Sequence, residues 1–113
     1  MPFKCNLQRY TAVEEVLADF ACKVLPAAGE LRRGVLQNDA NDQNIIVRPN
    51  ATGGSYEPSG LLDFGDMVVS WRVNDIAISL AYFMLGKEDP VGDAATMLAG
   101  FESKYPLTVG RAG

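Results

Sequence analysis

The apolar positions of this chain change period along its length, and each period predicts a different element. In 11–26, TAVEEVLADFACKVLP, Val13, Val16, Leu17, Phe20, Val24 and Leu25 recur at steps of three and four, which makes one helical face. Thr11 and Glu14 form a T-x-x-E capping box at its start, and Pro26 marks the stop. After a connector, Val35 with Leu36 and then Ile45, Ile46 and Val47 are short, β-branched apolar runs that predict two strands around a polar loop. The stretch 48–60, rich in Gly, Pro, Asn and Ser, predicts an exposed loop, and GLLDF, 60–64, a third strand. The expected result is a small β-ribbon whose polar ends, near Asp39 and Asp63, can meet in space.

Helical period returns in 73–85, where Val73, Ile76, Ala77, Leu80, Ala81 and Met84 give a broad apolar face that ends at Gly86. A third helical stretch, 93–105, has Asp93 as its expected cap and Pro106 as its stop. The tail after Pro106 reads as loose. The fold class is therefore α+β, mainly helical with a small β-ribbon carrying the polar loops. With 113 residues, no repeats and no low-complexity segment, one domain is expected, with a modest core.

Composition removes several functions. A net charge of −4 from 10 basic and 14 acidic residues, with the basic ones scattered, argues against a nucleic-acid surface. No apolar run is long enough to span a membrane, and the first ten residues lack a secretory pattern, so no membrane partner and a cytoplasmic location are expected. Cys5 and Cys22 are not a CxxC pair and read as reduced thiols, Cys22 beside the buried face of the first helix. There is no histidine, which excludes histidine-based triads and zinc sites. Met67, Met84, Met97 and Trp71 read as core residues.

The loop QNDANDQN, 37–44, carries the candidate chemistry. As a calcium loop it fails: its sixth position is Asn44 rather than Gly, and its twelfth is Asn50 rather than Glu. Taken alone, the Asn and Asp residues are accounted for by turn chemistry, since such side chains bond their own backbone. Phosphoryl transfer offers a third reading. It needs an Asp to accept the proton of the attacking hydroxyl, an Asn five residues on to hold magnesium, and an Asp at a strand end to hold the metal against the nucleotide phosphates. Asp39 and Asn44 have that spacing, and Asp63 opens a DFG after an apolar run. Oxygen ligands of this kind suit Mg2+, which keeps several waters and needs few protein ligands.

LQNDANDQNIIV, GLLDFGDMVVSWRVNDIAISLAYFML and LAGFESKYPLT together resemble the aminoglycoside phosphotransferase family, in particular its hydroxylysine-kinase-like branch. The resemblance implies the C-terminal lobe of a protein-kinase-like fold. It also implies transfer of a phosphoryl group from ATP or GTP, with Mg2+, to a hydroxyl of a small amine or amino acid. Carried over by position, Asp39 matches the catalytic acid, and Asn44 and Asp63 match the metal and nucleotide ligands. Asp66 matches the second acid of DFGD. Asp75 matches an Asp that braces the catalytic loop, although an exposed helix cap accounts for it equally.

Two departures qualify the resemblance. The family usually places His two residues before the catalytic Asp; here Gln37 stands there, able to hydrogen-bond but not to become cationic. The glycine-rich strand-turn-strand, the strand Lys and its Glu partner of the nucleotide-binding lobe are also not among these residues. Loss of that positioning, on the order of 7 kcal/mol or more, predicts a weak or inactive isolated chain. A non-catalytic module that binds or self-associates through the lobe face left uncovered is the alternative.

Overall fold

The structure, a computed structural model, describes residues 7–108. Cys5 and the tail from residue 109 onward lie outside the described residues. The described chain forms two compact units, residues 7–31 and residues 32–108.

The first unit is helical. α1 spans Leu7–Asp19, continues as a π turn over Phe20–Val24 and tightens into a 3-10 turn over Leu25–Glu30. Pro26 explains the change of pitch. It has no N–H for the carbonyl four residues back, and its ring crowds that turn. The ladder widens just before it, so that the Leu25 N–H reaches the Phe20 carbonyl five residues away. Helix therefore begins earlier than the T-x-x-E box predicts, and Thr11 lies inside α1 rather than at its cap. The predicted apolar stripe forms, but Val13, Val16, Leu17, Phe20 and Leu25 are all exposed, as is Cys22.

The second unit holds two antiparallel pairs and two helices. β1 (Arg33–Leu36) pairs with β4 (Val68–Trp71), and β2 (Ile45–Pro49) pairs with β3 (Tyr56–Leu61). The single ribbon expected from the sequence is thus two ribbons. β4, which was not expected as a strand, pairs with β1, and GLLDF leaves extended pairing at Leu61. Most of 48–60, expected to be loop, belongs to the β2–β3 hairpin. Ile46 opposes Gly60 and Val47 opposes Pro58, so Ser59 is the extra residue of a bulge. Pro58 cannot donate to a ladder, and a bulge is where a strand accommodates it. Asn50 closes the turn, accepting at its side chain from the Thr52 N–H (3.1 Å) while its own N–H donates to the Ser55 carbonyl (2.8 Å).

α2 (Val73–Phe83) forms as its period predicts and gives way to Gly86, whose φ of 70° is the left-handed conformation a helix end favours. α3 (Pro90–Lys104) starts earlier than expected. Its cap is Asp89, whose carboxylate accepts from the Gly92 N–H at 3.0 Å, and Pro90 occupies the first turn, where its missing N–H costs nothing; Asp93 lies within that turn. At the far end, Tyr105 is flanked by the Arg32 and Arg72 guanidiniums, 5.1 and 5.6 Å from its ring centre. Arg72 also donates to the Tyr105 hydroxyl at 2.7 Å.

Burial is sparse. Among the described residues, Leu36 and Ile76 are the buried apolar side chains, and the buried polar ones are Gln37, Asn41 and Ser79. Met67, expected in a core, is exposed, while Met84, Met97 and Trp71 are half-buried. The best-buried part of this unit is therefore the junction of β1, the loop after it and α2. Asp89→Ala, which removes the α3 cap, is expected to lower the unfolding free energy by about 1 kcal/mol, read from urea unfolding followed by circular dichroism.

Candidate functional site

The loop 37–44 leaves β1 at a residue in an unusual conformation. Asn38 has a φ of 67°, in the left-handed region that Asn and Asp tolerate better than most side chains. Asp63, which opens the DFG, has a φ of 57°. The two loops singled out by sequence each turn on one such residue. Conformations of this kind cost about 1 kcal/mol or more and persist where surrounding contacts fix them.

Those contacts are dense. Gln37 Nε2 donates to the carbonyls of Leu62 (2.9 Å) and Asp63 (2.6 Å), while its Oε1 accepts from the Asp39 N–H at 2.7 Å. One buried amide thus ties the backbone ahead of the DFG to the backbone of Asp39. A second tie runs from the Leu62 N–H to the Asn44 carbonyl at 2.8 Å.

Within the loop, the Asp39 carboxylate is held from both sides. Asn41 Nδ2 donates to Oδ1 at 2.9 Å, and Asn44 Nδ2 donates to Oδ2 at 3.0 Å and to the Asp39 carbonyl at 2.9 Å. A carboxylate only accepts, so this fixes which end of each amide faces Asp39. The Asn41 oxygen in turn accepts from the Gln43 N–H at 2.9 Å. Each Asp39 oxygen has more than one acceptor site, so the carboxylate retains capacity for a further proton donor.

α2 supports the loop from outside. Asp75 Oδ1 accepts from the Asn38 N–H at 3.0 Å, so Asp75 reaches the loop rather than only capping its helix. One turn later, the Ser79 hydroxyl lies 2.7 Å from the Ala40 carbonyl and 3.1 Å from the Asp75 carbonyl. No buried side-chain nitrogen or oxygen among the described residues lacks a partner.

Gln37, Asp39, Asn44 and Asp75 therefore belong to one hydrogen-bonded network, and the Asp63 backbone joins it through Gln37. The Asp63 side chain turns to its own loop, where Oδ1 accepts from the Gly65 N–H at 3.2 Å. Asp66 is exposed and makes no hydrogen bond among the described residues. Asn41 and Ser79 are the members that sequence reading missed. Asn41 falls within the turn chemistry of its loop, and Ser79 belongs to no motif.

The donor set suits a hard cation. Asn44 spends its NH2 on Asp39, and nothing among the described residues donates to its Oδ1; the same holds for Asp63 Oδ2. Among the described residues no three Cys, Asp or Glu side chains converge. What the two loops offer is one amide oxygen and one carboxylate oxygen, a small set of the kind Mg2+ takes when phosphate and water complete its shell.

The phosphotransferase enzyme family matches residues 4–108 of the chain. Hydroxylysine kinase of Xenopus laevis is 36% identical over 100 residues, covering 85% of this chain and 27% of the relative. The hydroxylysine kinase of Mus musculus is 38% identical over 99 residues (85% and 26%), and that of Danio rerio 32% over 95 residues (84% and 26%). The chain spans about a quarter of the length of these relatives. No solved structure matches it significantly. A family match over every described residue, on a chain whose D-x4-N and DFG loops are joined by hydrogen bonds, means that this protein belongs to the phosphotransferase enzyme family.

Proposed function

We propose that this chain is the catalytic-loop segment of a kinase-like C-terminal lobe that phosphorylates a hydroxyl of a small amine or amino acid, as the name of its hydroxylysine kinase relatives suggests. The donor would be ATP or GTP. The observation that supports this most directly is the double hold on Asp39 by Asn41 and Asn44, with both Asn44 and the residues before the DFG anchored to the same loop.

In this reading Asp39 orients the substrate hydroxyl and accepts its proton as the oxygen–phosphorus bond forms and the bond to the nucleoside diphosphate breaks. Asn44 and Asp63 would hold magnesium through the oxygens left unpaired, and the ion would supply positive charge against the phosphates. Gln37 and Asp75 keep the Asp39 backbone fixed. Asp66, exposed after the DFG turn, matches the second acid of DFGD and would have a supporting role. Such transfer relies on positioning and charge stabilisation, so fixed loop geometry is the contribution these residues can make. The chain spans about a quarter of its relatives, and the nucleotide-covering lobe implied by the resemblance is not among its residues. Activity of the isolated 113 residues is accordingly proposed to be weak or nil.

A second reading has its own observation. Val13, Val16, Leu17, Val35, Val69, Leu85 and Val91 are all more than half exposed, which favours a module that self-associates. Titration calorimetry with Mg-ATP, run beside sedimentation, separates the two. Magnesium-dependent binding that weakens at least about tenfold in Asp63→Asn supports the kinase reading, because a charged oxygen ligand has been removed. Asn tolerates positive φ as Asp does, so that variant leaves the turn intact. No binding, with a concentration-dependent dimer, supports the second.

Two further outcomes are expected. Where transfer is measurable, Asp39→Asn lowers its rate by about a hundredfold or more and leaves nucleotide binding in place. Gln37→Leu leaves the Asp39 N–H and two carbonyls unpaired and lowers the unfolding free energy by about 2 kcal/mol or more, read by chemical denaturation.

A further inference from the structure

We infer that Ser79, which no motif singles out, is a positioning residue for Asp39. The inference rests on the reading of Asp39 as the catalytic base. Asp75 and Ser79 are four residues apart on α2, so their side chains rise from one helical face, one turn apart. Asp75 holds the N–H of Asn38 and Ser79 holds the carbonyl of Ala40. These are the residues immediately before and after Asp39. Two turns of one rigid helix thus fix the backbone on both sides of the carboxylate, while Gln37 holds the N–H of Asp39 itself.

Ser79 has one proton to donate and two carbonyls in range. Its approach to Ala40 (2.7 Å) is closer than to Asp75 (3.1 Å), so the bond across to the loop is the stronger of the two. At 8% exposure the side chain is shielded from water, which cannot easily replace that bond. Asp75 restrains the peptide that joins Gln37 to Asn38, and Ser79 the peptide that joins Ala40 to Asn41. The segment 38–40 is thus anchored at both ends, and the angle at which the Asp39 carboxylate leaves the loop depends on both.

The test compares Ser79→Ala with Ser79→Thr. Ser79 lines a groove of about 430 Å³ together with Ala40, Met97 and Phe101, so the added methyl of Thr has space, and its hydroxyl can make the same bond. Hydrogen exchange followed by NMR does not depend on activity. In Ser79→Ala, exchange at the Asn38, Asp39 and Asn41 amides is expected to quicken about five- to tenfold, the equivalent of one lost hydrogen bond, and to return toward wild type in Ser79→Thr. Amides of α3 should be unchanged. Where the wild type transfers phosphate, kcat should fall in Ser79→Ala with the nucleotide KM unchanged, and Thr should restore it. Unaltered loop exchange in Ser79→Ala, or a rise shared equally by α3, overturns the inference. Loop exchange that responds to Ser79 in a chain that shows no magnesium-dependent nucleotide binding counts against the kinase reading and not against the hold on the Asp39 backbone.

Discussion

Burying polar atoms without partners is costly, and that constraint organises this structure more than apolar packing does. Leu36 and Ile76 are the buried apolar side chains among the described residues, while Gln37, Asn41 and Ser79 are buried beside them. Each unpaired amide or hydroxyl at such depth would cost about 1–3 kcal/mol. The chain meets the constraint by directing every one of these groups to the loop backbone or to Asp39. A loop whose hydrogen-bonding groups are so fully engaged has few alternative conformations. This explains how Asn38 and Asp63 are held at positive φ without glycine.

The same economy shapes the chemistry. Asn44 divides its amide: the nitrogen orients the carboxylate and the oxygen stays unengaged. On the proposed reading Asn44 would touch both the base and the cation and so couple them. Asp75 and Ser79 add a support behind Asp39, built on α2 rather than on another loop, and rigid elements hold neighbouring side chains more accurately than loops do.

What the sequence revealed follows from what kind of signal each element carries. α2 was legible because its apolar residues keep helical period and Gly86 ends it. The start of α1 was misplaced because T-x-x-E is also an acceptable pair inside a helix. The β2–β3 hairpin was read as loop because Pro58, Ser59 and Gly60 have poor strand propensity, and only pairing across a bulge makes them a strand. β4 has only four residues, too few to establish a period of their own. The exposed stripe of α1 shows the limit of periodicity: it reports which face is apolar and is silent about what covers it. In the two loops, Asp39, Asn44 and Asp63 are singled out by side-chain type and spacing. Asn41 and Ser79 are not, because Asn41 looks like turn chemistry and Ser79 acts through main-chain oxygens, which any residue can present.

Gln37 carries a last consequence. Its nitrogen faces two main-chain oxygens and its oxygen faces one main-chain N–H. Turned end over end, it would set oxygen against two oxygens and hydrogens against a hydrogen, so it fits only one way round. The seat is keyed by polarity as well as by shape. Glutamate, though nearly the same size, would meet those oxygens with a negative charge and could not take it. Nor can this key gain or lose a proton in the neutral range, so the junction between the two loops carries no acid–base switch of its own.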